Sequence, residues 1–178
     1  MRQINSFEKQ VIRDLVKYPV LKKQGTVQFA LYLESFHFGP DHNASLAYTQ
    51  EGKSYISTSN NDVDKNREKF VSSITLLNLL NELRNNGLII FLGHSKPSGE
   101  LGTQYQEGTT FEIPAPINSF VCESLSKYII INEGLVQLVK DNFKSPEEKR
   151  HDETKKISYI AIGVSIVLGL ISLYLASV

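Results

Sequence analysis

The chain has 178 residues, 19 basic and 19 acidic, no net charge and a mean hydropathy of −0.18. That length suits one modest domain plus an appendage, and the absence of a basic surplus argues against a sequence-independent nucleic-acid binder. The single cysteine, Cys122, excludes an intrachain disulfide and fits a reducing compartment.

Charge divides the chain into three regimes. Residues 1–143 carry 14 basic and 15 acidic side chains, 144–156 carry five and four, and 157–178 carry none. The expected organisation is a near-neutral α+β body over 1–143, a charged helical stalk over 144–156 and an apolar helix over 157–178. The opening "MRQINSFEKQVIRDL" is charged throughout and has no apolar core of signal-peptide length, so the body is not expected to be secreted.

The first predicted element is a helix capped by Ser6, with Phe7, Val11, Ile12, Leu15 and Val16 on one face, stopping at Tyr18-Pro19. In "TVQFALYLESF", Val27, Phe29, Leu31 and Leu33 alternate with Gln28, Ala30, Tyr32 and Glu34. That pattern predicts a half-buried strand, although Phe29, Leu33 and Phe36 also fit helical spacing. After a Gly-Pro turn at 39–43, "ASLAYTQEGKSYISTS" reads as a hairpin about Glu51-Gly52.

Asp62 or Asp64 is expected to cap the strongest helix of the body, whose apolar positions 70, 71, 74, 76, 77, 79, 80 and 83 form a wide face. Asn85-Asn86-Gly87 stops it, and "LIIFL" follows as a buried strand. A glycine-rich loop over 93–108 then leads to the strand "TTFEI". Helix, strand, long polar loop and strand over 64–113 resembles the local plan of a winged-helix motif, a likeness of architecture that no fingerprint residue carries. Further on, Asn118 or Ser119 is expected to cap a short helix, "KYIIIN" to form a strand, and Asn132 to cap a last helix of the body.

In the stalk, Ser145, Pro146 and Glu148 fit the cap, first turn and capping box of a helix continuous with the tail. Lys149–Glu153 and Asp152–Lys156 are opposite charges at i,i+4. The tail, "ISYIAIGVSIVLGLISLYLASV", is long enough as a helix to cross a bilayer. With Lys149, Arg150, Lys155 and Lys156 just before it, the expectation is a single-pass, tail-anchored membrane protein. Its body would be cytoplasmic and its C-terminus on the opposite side. Ser158, Ala161, Ser165, Gly169, Ser172 and Ala176 fall in one narrow stripe of small residues, which predicts an interface between copies of the helix.

Catalytic chemistry is weakly signalled. His37, Asp41 and His42 are zinc-type ligands, but their spacing fits no helical ligand pair and a Gly-Pro turn intervenes, so a polar surface turn is expected. "GHSKPSGELG" lacks the Gly-Lys-Ser/Thr ending and following helix of a phosphate loop. Cys122 has no nearby His, and His94 with Ser95 would need distant partners. Lys65, Arg67 and Lys69 are interleaved with Asp64 and Glu68, an ordinary solvated face.

No enzyme activity, cofactor or metal is therefore expected. The sequence reads as an interaction or sensing module that oligomerises through its tail. Its expected partners are the lipid bilayer, copies of itself, and a protein or small ligand of the body; nucleic acid is disfavoured. Two rival functions are a membrane effector whose clustered spans permeabilise the bilayer and a membrane-tethered winged-helix DNA-binding regulator.

Overall fold

The computed structural model describes residues 4–59, 62–96, 99–101, 109–144 and 146–176, with the backbone alone for 19, 20, 22, 40, 99, 100, 146 and 168–176. It divides into two units, Met1–Val139 and Lys140–Val178.

The first unit is mixed α and β. Helix α1 (Ser6–Lys17) begins one residue after its cap. Asn5 Oδ1 accepts from the Glu8 backbone N–H at 2.9 Å, and the Asn5 N–H donates to Glu8 Oε2 at 2.9 Å, a reciprocal capping box. Tyr18 ends α1, and Pro19 opens a short helix α2 (Pro19–Gln24), closed by Gly25 at φ +72°. A left-handed residue at that position is what glycine supplies without strain. Extended backbone then lasts only through β1 (Val27–Gln28) before α3 (Phe29–Phe36), so the strand expected over "TVQFALYLESF" is mostly helix. Helical spacing wins because it buries Phe29, Tyr32 and Leu33 together.

The hairpin forms as expected, with β2 (Ala44–Tyr48) paired to β3 (Ser54–Thr58) and Gly52 at φ +75° in the turn. Asp62 caps α4 (Val63–Asn85), its carboxylate accepting from the N–H groups of Asp64 and Lys65. One face of α4 buries Leu76, Leu77, Leu79, Leu80 and Leu83. Beyond it come β4 (Ile89–Leu92), β5 (Gly99–Leu101), β6 (Thr109–Glu112), α5 (Ala115–Ser124), β7 (Tyr128–Ile131) and α6 (Glu133–Lys140). Asn132 caps α6, accepting from the Gly134 N–H at 3.1 Å.

The strands form two small antiparallel sheets, ordered β1-β7-β4 and β5-β2-β3-β6. This overturns the winged-helix expectation. The two strands that would share a wing, β4 and β6, lie in different sheets, β4 beside β7 and β6 beside β3. Part of the expected loop is itself strand, β5, whose Leu101 is buried opposite Leu46. Residues 97–98 and 102–108 of that loop lie outside the described residues.

The second unit contains α7 (Pro146–Ala176), one continuous helix as expected; its expected cap, Ser145, lies outside the described residues. The membrane-spanning expectation is corrected. Among the described residues no helix is long and apolar enough to cross a membrane. The first third of α7 is the charged stretch 147–156, which does not fit a hydrocarbon core. The single-pass, tail-anchored placement with a cytoplasmic body falls with it. Lys149, Arg150, Lys155 and Lys156 are therefore cations on a charged helical turn rather than flanks of a span.

Candidate functional site

The turn holding His37, Asp41 and His42 does not assemble a metal site. Asp41 is exposed on a short 3₁₀ turn, Pro40–His42, and among the described residues no group of three or more His, Cys, Asp or Glu side chains is placed to hold a metal. His37 instead enters an aromatic cluster, its ring 6.1 Å from Tyr32 and 6.2 Å from Phe36. Its Nε2 and the Tyr32 hydroxyl are buried without a hydrogen-bond partner among the described residues. Burial, with smaller contributions from Lys69 and His42, lowers the His37 pKa to about 4. Burial also pushes the Tyr32 hydroxyl up and Lys69 down.

The segment after β4 is stitched to the α5–β7 corner. Ser95 Oγ donates to the Glu123 carbonyl at 2.9 Å, the Lys96 N–H donates to Ser126 Oγ at 2.9 Å, and Ser126 Oγ donates to the His94 carbonyl at 3.2 Å. These bonds commit Ser95 to holding the loop in place. Cys122 is half-buried, and burial raises its thiol pKa against an opposing backbone hydrogen bond. A thiol held protonated is a poor nucleophile. The first turns of α4 present mixed charge, with a shallow hollow lined by Asp64, Arg67, Glu68, Val71 and Ser72.

Two surface features stand out. The first is a cleft of about 690 Å³ where the end of α1, α2, the end of β7 and α6 converge, lined by Val16, Lys17, Leu21, Gly25, Ile131 and Val136. Sequence reasoning missed it because it ended the helical segment at Pro19. The signal was present: proline at a first helical position followed by Gly25 marks a second short helix.

The second is the apolar stretch of α7. Ile157, Tyr159, Ile160, Ile162, Val164, Ile166 and Val167 are each 53–71% exposed. Of the predicted stripe, Ser158, Ala161 and Ser165 lie on this stretch, and Ser158 and Ser165 donate their hydroxyls to the carbonyls of Thr154 and Ala161. The stripe therefore offers close approach rather than free donors. Gly169, Ser172 and Ala176 continue it along the helical backbone, with side chains outside the described residues. In the charged part of α7, Lys149 pairs with Asp141 and Lys144 with Asp152, tying the helix to the residues just before it.

Fold and surface define a mixed α/β body on two small antiparallel sheets, and a long helix that turns from charged to apolar. The chain matches no protein-family model, no curated protein and no solved structure.

Proposed function

We propose that this chain is an interaction module that assembles with copies of itself through the apolar stretch of α7, while the α/β body engages a protein or small-ligand partner. The observation that carries the reading is the run of exposed large side chains from Ile157 to Val167. A helix apolar on every side is covered in its working state. A second copy is the occupant that the small positions favour. Ala161, with Ser158 and Ser165 satisfied within their own helix, lets two such helices approach closely and pack Ile and Val side chains against one another. Joining copies also multiplies weak contacts made by the bodies.

Sedimentation velocity of the full chain tests this. The expected result is a concentration-dependent oligomer whose dissociation constant rises at least tenfold in an Ala161→Leu/Ser165→Leu variant, which keeps the surface apolar and fills the stripe. A monomer at every concentration would overturn the reading, as would recovery of the chain with added lipid vesicles and not with itself.

A further inference from the structure

We propose that the cleft between α1, α2, β7 and α6 binds a linear aliphatic carboxylate, with the alkyl chain inside and the carboxylate at Lys17. This goes beyond the self-assembly reading and rests on different residues.

The cleft's volume of about 690 Å³ is of small-ligand size. Its side-chain walls are aliphatic, Val16, Leu21, Ile131 and Val136, with no aromatic ring among them to stack on a planar ligand. The remaining wall is backbone at Gly25, where an added Cβ would meet nothing within 4 Å, so the cleft stays open on that side. Its charge has one sign. Among the described residues, Lys17 is the sole charged residue of the lining, is exposed and forms no ion pair. The segment that builds two of the walls, residues 13–25, carries Arg13, Lys17, Lys22 and Lys23 against Asp14 alone. An apolar slot with a cation at its mouth is complementary to an alkyl chain ending in an anion.

Decanoate and decanol, kept below the concentration at which decanoate forms micelles, are the probes. Each is titrated into the full chain while methyl resonances are followed by NMR. The expected result is saturable shifts at Val16, Leu21, Ile131 and Val136, with decanoate binding at least tenfold tighter than decanol. Lys17→Ala, at an exposed position, should abolish that preference, and Val136→Trp should abolish binding of both. Equal affinity for acid and alcohol in the native chain would overturn the proposal, as would shifts confined to Ile157–Val167 or binding unchanged in a folded Val136→Trp variant. The first and third outcomes leave self-assembly through α7 untouched, so failure of either reading is visible separately.

Discussion

Asn118 fastens Ser54 across 64 residues of sequence: the Ser54 hydroxyl, fully buried in β3, donates to Asn118 Oδ1 at 2.5 Å. The same carboxamide donates from Nδ2 to the Gly52 carbonyl at 2.7 Å. One side chain of α5 thus holds both the turn and the second strand of the β2–β3 hairpin.

Replacing Asn118 by Ala leaves the Ser54 hydroxyl buried without its acceptor, and the expected loss is about 1–3 kcal/mol of unfolding free energy. Urea denaturation reads it directly. Adding Ser54→Ala to Asn118→Ala should cost less than the sum of the two single losses, because the stranded hydroxyl is gone. Additive losses would mean that the 2.5 Å contact carries no coupling.

Much of the body was legible because single residues dictate local geometry. Asp62, Asn132, Gly52 and the Asn85-Asn86-Gly87 stop each act where the sequence placed them. Strand pairing was not legible. "IIFL" and "TTFE" both read as strands, and nothing local says that one joins β7 and the other β3. Partner choice is made by packing: Phe91 from β4 meets Phe29 and Phe120 at 4.9 and 5.7 Å, while Phe111 from β6 stacks on Phe70 at 4.6 Å. The cleft escaped notice for a related reason, since its walls come from residues more than a hundred positions apart.

The wide apolar face predicted for α4 is narrower in the structure. Leu77 is fully buried, whereas Val71 is 55% exposed. Leu77→Ala should cost about 2–5 kcal/mol through lost burial and the cavity left behind. Val71→Ala should stay within about 0.5 kcal/mol, as surface substitutions do. Thermal melts of the two variants against the parent chain check the contrast.

Strand β4 lies at the edge of its sheet and has neither charge nor proline. The outward positions Ile90 and Leu92 are paired with Ile130 and Tyr128, giving the sheet an apolar outer face. Exposed apolar edges invite pairing with other chains during folding. Leu92→Lys should therefore leave equilibrium stability within about 0.5 kcal/mol while raising the yield of refolding by rapid dilution. Light scattering during refolding measures the second effect separately from association through α7.

His37 should make the body lose stability in mild acid. Its ring is largely buried beside Tyr32 and Phe36, Nε2 has no partner among the described residues, and the Lys69 and His42 side chains add positive potential, so the neutral form is favoured and its pKa falls to about 4. The unfolded chain protonates the same group near 6.5. Between these values the unfolded state binds more protons than the folded one, so the stability contributed by neutral His37 is fully present above about pH 6.5. It drains away as pH falls towards about 4. The full difference corresponds to about 3 kcal/mol, of which about 2 kcal/mol should be lost by pH 5, above the range in which most carboxylates titrate. Urea denaturation near pH 7 and pH 5 measures the slope in the parent chain. His37→Phe should flatten it, with little cost at neutral pH, because Phe brings no buried nitrogen needing a partner and extends the ring cluster. An equal slope in parent and variant would place the acid sensitivity elsewhere in the body.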